Sequence, residues 1–166
     1  MGRMADTAMQ HIDPLKGAAI VGFSMGGMVA MEIARLAPRL IKKLALINSN
    51  AHADSPDKHL ARLKHLEQAE SNGMTSVIKQ HYLDRYLFQT HPVAAQTIID
   101  MAESLGPACF AAQIEALASR PDSSKSLERI HCPTLILGSS HDELCPVTEQ
   151  KRMQQLLKKC TLKTVN

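Results

Sequence analysis

The spacing of apolar residues predicts a strand, a helix and a second strand within the first fifty positions. Residues 18–23 form an apolar run of strand type, and residues 28–37 are apolar around most of a helical circumference. A helix of that kind is buried between a sheet and other elements. Residues 44–47 form a second short apolar run. Strand, helix and strand in this order predict a right-handed parallel crossover.

The rest of the chain is assigned by the same spacing. Residues 5–15 predict a short helix that Pro14 disrupts near its end. Apolar residues recur every three or four positions in four further predicted helices, 57–70, 75–88, 92–105 and 108–119. Strand and helix then alternate again, with predicted strands at 132–138 and 161–165 and a helix at 147–158.

These elements predict an α/β fold with a parallel sheet of about four strands. We expect residues 1–50 and 131–166 to build the core around the sheet. Residues 51–130 contain no strand pattern, and we expect them to form a helical insertion between the two parts of the core.

One motif between the first strand and the following helix carries chemistry. Gly22-Phe23-Ser24-Met25-Gly26 is the G-x-S-x-G pattern in a strand, turn and helix context, which lifts a serine hydroxyl clear of a sheet. The turn is tight enough to strain the serine backbone, so we expect that only glycine at positions 22 and 26 avoids a collision. The helix start also presents unpaired N–H groups to an anion near Ser24.

Residues 21–30, Val-Gly-Phe-Ser-Met-Gly-Gly-Met-Val-Ala, resemble the nucleophile elbow of the α/β-hydrolase superfamily. The resemblance is to its esterase, enol-lactone hydrolase and cofactor-free haloperoxidase branches. It implies a serine hydrolase in which Ser24 attacks an acyl carbon and the N–H of Met25 binds the oxyanion. The helical insertion would be a cap, with Met74, Tyr82, Tyr86 and Phe110 as candidates for lining the pocket or, alternatively, for packing the core. No metal or organic cofactor is implied.

The superfamily places the acid of its triad in the loop after the strand that follows the cap. Residues 138–146 occupy that place, and Asp142 stands four residues before Pro146, which matches the superfamily's interval between acid and proline. Glu143 is the alternative acid. The alternative role for Asp142 is to cap the next helix or to close a turn.

No histidine stands where the superfamily has its base, after the last strand, because the sequence ends at Asn166. His141 adjoins Asp142, but neighbouring side chains diverge. His52, on the loop after the second strand, faces either a pocket or the surface. We expect the base and a second oxyanion donor to lie outside these residues, so that the chain is the second half of the fold, truncated at both ends.

Without upstream strands, the strand at 18–23 would present a bare apolar edge. Such an edge invites pairing with a second copy. We therefore expect the chain by itself to be marginally stable or a homo-oligomer.

Composition excludes several other classes. The content of 45% hydrophobic and 21% charged residues is typical of a soluble globular protein. The net charge is +3, the positively charged residues are scattered along the chain, and aromatic residues are few, so we expect no nucleic-acid binding. The four cysteines lack C-x-x-C spacing and indicate thiols in a reducing compartment. Neither a signal peptide nor a run of membrane-spanning length is present, which indicates a cytoplasmic protein without membrane contact.

Two functions remain from different classes. The first is a serine hydrolase acting on a small carboxylic ester or lactone, from which perhydrolase or haloperoxidase activity is not separable by sequence. The second is a non-catalytic remnant that acts, if at all, as a binding module. A dinucleotide or phosphate binder is disfavoured, because G-x-G-x-x-G spacing and the P-loop lysine are missing.

Overall fold

A computed structural model describes residues 1–87 and 89–166 of the chain, so the last position of the predicted helix 75–88 lies outside the described residues. The described residues divide into two compact units. The first unit contains Met1–Ala53 and Pro121–Asn166, and the second contains Asp54–Arg120.

The first unit is built on a parallel sheet in the order β1-β2-β3-β4. Its strands are β1 (Ala18–Phe23), β2 (Ile41–Ile47), β3 (Thr134–Ser139) and β4 (Cys160–Val165). The predicted α/β class and the number of strands are confirmed. Phe23 lies opposite Ile47, and Ile47 lies opposite Leu137. The carboxyl ends of β1, β2 and β3 are therefore level and share one edge of the sheet.

Helices account for most of the remaining residues. In chain order they are α1 (Gly2–Met9), α2 (Met25–Leu36), α3 (Pro56–Asn72), α4 (Met74–Val77), α5 (Leu83–Tyr86), α6 (Pro92–Ala118), α7 (Ser124–Leu127) and α8 (Val147–Leu156). A 3₁₀ turn spans Pro38–Leu40, and a π-helical segment spans Ile78–Tyr82.

The two faces of the sheet differ in burial. On one face Leu44, Leu46 and Ile136 are at most 2% exposed, and α2 and α8 pack against the strands that carry them. On the opposite face Val21 is 68% and Phe23 67% exposed. Parallel sheets normally have both faces covered. The described residues thus place β1 at an edge of the sheet with exposed apolar side chains, as the sequence predicted.

The first helix is shorter than the predicted span of 5–15. It ends at Met9, and Asp13 then forms a turn in which its Oδ1 accepts the N–H groups of Leu15 and Lys16 at 2.8 and 3.3 Å. The prediction was wrong because an aspartate that bonds its own backbone competes with helix, and the residue before Pro14 also avoids helical angles.

The second unit consists of helices, as the spacing predicted. The break expected near residue 106 is a kink within α6, where Gly106 has a φ of +72° and Pro107 follows. At the two ends of the unit, Asp54 pairs with Arg62 at 2.6 Å and with Arg120 at 2.9 Å. The Asp54 side chain is 2% exposed, so this ion pair holds the first and last residues of the unit together.

Candidate active site

Ser24 occupies a sharp turn between β1 and α2. Its backbone has a φ of +50° and a ψ of −115°, a region that non-glycine residues rarely adopt. The N–H of Ser24 donates to Ile47 O at 2.9 Å, which ties the turn to the end of β2. The strained serine backbone that the sequence predicted is therefore present.

Two glycines make this turn possible, but only one of them was predicted. A Cβ at Gly22 would lie 2.5 Å from Gly26 O, as expected for a tight turn. A Cβ at Gly26 would meet nothing within 4 Å, so the expectation for that position was wrong. The second close approach is at Gly27, where a Cβ would lie 2.5 Å from Ser49 Oγ. The reason is that Gly26 lies on the open side of the first helical turn.

The start of α2 provides hydrogen-bond donors beside Ser24. Met25 is the first residue of the helix, so its N–H has no carbonyl partner within the helix. Among the described residues, the Ser24 side chain makes no capping bond to α2. Its hydroxyl is therefore not committed to the helix end, and it lies where the positive end of the helix dipole is strongest.

Asp142 lies in the loop after β3, at the same edge of the sheet. Its Oδ1 accepts the N–H groups of Leu144 and Cys145, both at 2.8 Å, and its Oδ2 accepts from Asn48 Nδ2 at 2.5 Å. The first two bonds close a turn, so the alternative structural role is observed as well. Glu143 is exposed and Asp142 is half-buried.

The sequence pattern predicted no role at the site for Asn48 or Ser49, although both residues directly follow β2. Asn48 has a φ of +45°, and its side chain reaches Asp142. Ser49 is 1% exposed, and its hydroxyl donates to the carbonyl of Ser24 at 2.8 Å. The only sequence signal for either residue is its place at the carboxyl end of a central parallel strand.

A buried glutamine supports the loop that carries Asp142. Gln150, on α8, is 0% exposed, and its Nε2 donates to Cys145 O at 2.9 Å. The N–H of the same Cys145 donates to Asp142. Asn50 Nδ2 also approaches Cys145 Sγ at 3.5 Å. The peptide at Cys145 is thus held from two sides.

The histidines considered as bases are engaged elsewhere. His52 lies between Asp122, 3.3 Å from its Nδ1, and Glu149, which contacts its Nε2 together with Arg152 at 3.0 Å. His141 is exposed, and its Nδ1 lies 3.1 Å from Ser140 Oγ. The Asp142 carboxylate itself accepts from Asn48, Leu144 and Cys145, as described above.

The carboxylate beside His52 is perturbed by its surroundings. Burial raises the pKa of the Asp122 carboxyl, but hydrogen bonds from Ser124 and from His52 lower it by more. The pKa of Asp122 therefore lies below its usual value. His52, Asp122 and Glu149 form a charged cluster that joins the loop after β2 to α8 and to the segment that returns to the sheet.

Three of the four cap residues proposed for a pocket pack in the core of the second unit. Met74 is 3% exposed in a cluster with Ala69 and Val77, and Tyr82 and Phe110 pack against that cluster. Tyr86 is 50% exposed, and its ring centroid lies 5.8 Å from that of Tyr82. The alternative given for these residues, core packing, thus describes Met74, Tyr82 and Phe110.

Across the described part of the chain, no three His, Cys, Asp or Glu side chains are arranged to hold a metal ion. No described helix is long and apolar enough to cross a membrane.

Comparison with known proteins gives matches along nearly the whole chain. A protein assigned as a carbamate hydrolase, RutD, from Rhizobium rhizogenes is 29% identical over 140 residues, covering 81% of this chain and 53% of that protein. The 3-oxoadipate enol-lactonase 1 of Acinetobacter baylyi is 27% identical over 145 residues, covering 85% of this chain and 53% of that protein. The chain thus spans about half the length of these curated relatives.

A solved structure agrees in fold. A thermophilic esterase from Thermogutta terrifontis has a TM-score of 0.88 and 27% identity, covering 99% of this chain and 62% of that one. The family model described as serine aminopeptidase, S33, matches residues 4–166. The chain therefore belongs to this family of hydrolases (Hydrolase_4), and its fold is that of the α/β-hydrolase superfamily.

Proposed function

We propose that this chain carries the nucleophile and the acid of a serine hydrolase that acts on a small carboxylic ester or lactone. The observation that carries the proposal is the backbone of Ser24, which is held at a φ of +50° between β1 and α2. Strain of this kind persists where the surrounding structure enforces it, and it is concentrated at active sites. Asp142 lies at the same sheet edge, two strands away, which is about 10 Å at the usual strand spacing. That gap suits an imidazole between a hydroxyl and a carboxylate.

The proposed reaction uses Ser24 and the start of α2. Ser24 Oγ attacks the acyl carbon and passes its proton to an imidazole base. The N–H of Met25 donates to the oxyanion that forms. Collapse of this intermediate breaks the bond to the leaving group, which takes the proton from the imidazolium, and water then hydrolyses the acyl-serine by the same steps.

The base in this proposal is a histidine from outside the 166 residues. Asp142 Oδ2 accepts one hydrogen bond from Asn48, and a carboxylate oxygen accepts two. An imidazole N–H can therefore use the second position. The relatives are longer than this chain, which leaves room in a longer protein for such a residue.

The substrate class rests on the relatives, which include an esterase and an enol-lactonase. Their names concern an acyl carbon bonded to oxygen. The relative assigned as a carbamate hydrolase adds a third acyl group, a carbamate, that an assay should include.

Acylation of the purified chain by an activated ester tests the proposal. The chain is incubated with p-nitrophenyl acetate and increasing imidazole, and bound acetyl is counted by intact mass. We expect one acetyl group, located on Ser24, at a rate that imidazole raises, and we expect none in Ser24→Ala. The rates of acylation by an enol lactone and by a carbamate ester are then compared, to rank the acyl groups that Ser24 accepts. Equal acetylation of wild type and Ser24→Ala would contradict the proposal.

The second candidate is a non-catalytic remnant that acts as a binding module. It is favoured by the His52 and His141 contacts, which leave neither residue placed as the base of Ser24. A folded wild-type chain that stays unacylated at saturating imidazole would support this candidate instead.

We also propose that the chain self-associates through the β1 edge and is cytoplasmic. The outer edge of β1 carries backbone groups without a strand partner among the described residues, and Val21 and Phe23 on this strand are exposed apolar side chains. A second copy offers the same edge, so a two-fold arrangement would satisfy the unpaired backbone groups of both copies.

The four cysteines form no disulfide in the described residues, which supports the proposed reducing, cytoplasmic location.

A further inference from the structure

Ser49 holds the turn that carries Ser24. Its side chain is 1% exposed, and its hydroxyl donates to Ser24 O at 2.8 Å. The same carbonyl accepts from the N–H of Gly27 at 3.0 Å, and Gly27 itself has no room for a side chain because Ser49 lies against it. The Ser24 carbonyl is thus fixed by one bond from its own helix and one from the loop after β2. Fixing it holds Ser24 in its strained backbone conformation.

Asn48, the neighbour of Ser49 in sequence, holds the carboxylate of Asp142. Its backbone lies in the left-handed region, with a φ of +45°, which asparagine tolerates better than most residues. Its N–H donates to Leu137 O at 2.9 Å, so the residue is anchored to the end of β3. From this position its Nδ2 donates to Asp142 Oδ2 at 2.5 Å.

The two bonds join one dipeptide to two distant parts of the chain. Ser49 reaches a residue 25 positions away, and Asn48 reaches one 94 positions away. One short segment after β2 therefore contacts both the turn before α2 and the loop after β3. Both ends of this link are residues that the proposed function requires.

We propose that the Asn48-Ser49 dipeptide is a positioning unit that sets Ser24 and Asp142 relative to each other for acyl transfer. The inference rests on the proposed function. Asn48 fixes the plane of the carboxylate and leaves the second acceptor position of Oδ2 for an imidazole N–H. Ser49 keeps the Ser24 hydroxyl over the helix start. Neither residue takes part in bond making, so both act through their partners.

A double-mutant cycle between Asn48 and Asp142 tests the first half of the link. The rate measured is imidazole-assisted acetylation of Ser24. Asn48→Gly keeps the left-handed backbone accessible but removes the amide. We expect it to lower this rate by about 10-fold to 100-fold, as a small misplacement of a reacting group does. Added to Asp142→Asn, it should lower the rate no further, because Asn48 then has no carboxylate to position.

Ser49→Ala tests the second half, and Ser49→Cys is its conservative partner. We expect Ser49→Ala to slow acetylation of Ser24 by about 10-fold, and we expect Ser49→Cys, which keeps a weak donor, to restore part of that rate. Asn72→Gly and Ser71→Ala are matched controls, since both are exposed at the end of α3. These controls should leave the rate unchanged.

The outcomes separate this inference from the proposed function. If the wild-type chain is acetylated and the effects of Asn48→Gly and Asp142→Asn multiply, the positioning role is overturned while the proposed function stands. The same holds if Asn48→Gly or Ser49→Ala folds and reacts at the wild-type rate. If the folded wild-type chain is not acetylated, the proposed function fails, and the catalytic meaning of the link fails with it.

Discussion

The α-carbon of Gly138 lies directly against the side-chain amide of Gln150. A Cβ on Gly138 would overlap the Gln150 Oε1 atom, which is buried and has no hydrogen-bond partner in the described residues. The other end of the same amide donates to Cys145 O at 2.9 Å. The loop that carries Asp142 is therefore supported by Gln150, and only glycine at position 138 leaves room for this side chain.

Gly138→Ala should displace this glutamine. Because the interior resists added volume, we expect a loss of about 1–3 kcal/mol in the free energy of unfolding, measured by urea denaturation. We also expect the Cys145 amide, which donates to Asp142, to lose protection in hydrogen exchange. A variant as stable as the wild type, with that amide still protected, would contradict the role given to Gln150.

The two glycines of the G-x-S-x-G motif should respond differently to alanine. Gly22→Ala places a Cβ 2.5 Å from Gly26 O, and we expect a loss of about 3 kcal/mol or more. Gly26→Ala meets nothing within 4 Å in a helical turn, and we expect a change within about 1 kcal/mol, in the stabilising direction. Thermal denaturation of the pair provides the comparison. Equal losses would show that the turn is packed differently.

The second unit should lose stability in mild acid through His65. This ring stacks on His81 at 4.1 Å between centroids, and its Nδ1 lies 3.0 Å from Tyr82 Oη. Burial, and then the nearby His81, Arg62 and Arg85, lower the pKa of His65 below its usual value of 6.5. The unfolded chain thus binds the proton more readily. Neutral His65 therefore makes its full contribution to the free energy of unfolding above pH 6.5. This contribution is lost as the pH falls through the lowered pKa.

We expect His65→Gln to flatten the decline of the melting temperature between pH 7 and pH 5. His59→Gln, an exposed change on the same helix, is the control and should keep the wild-type profile. A His65→Gln profile parallel to that of the wild type would assign the acid sensitivity to other groups.

Self-association through β1 should be sensitive to charge at one edge. Val21→Lys places an ammonium on the exposed edge strand, and a charge there opposes strand pairing. We expect sedimentation velocity to find oligomers of the wild type and monomers of Val21→Lys. Thr161→Lys makes the matched change on β4, the opposite edge of the sheet, and should leave the oligomers intact. A wild-type chain that is monomeric at all concentrations would contradict the proposal.

The sequence predicted the parts of this fold that depend on local pattern. The alternation of apolar strand and helix placed the four strands, and the motif around Ser24 placed the turn, since period and glycine content are local properties. The contacts of Gly27 with Ser49 and of Gly138 with Gln150 could not be predicted, because each depends on how residues far apart in sequence pack. The Asn48 contact with Asp142 spans 94 positions and leaves no periodic signal.

The identity of the nucleophile is tested most directly by a fluorophosphonate probe followed by peptide mapping. We predict that the probe labels Ser24, that added imidazole raises the rate of labelling by less than the roughly 100-fold that a positioned base contributes, and that Ser24→Ala is not labelled. A folded wild-type chain in which Ser24 stays unlabelled at saturating imidazole, or in which label persists in Ser24→Ala, would contradict the account.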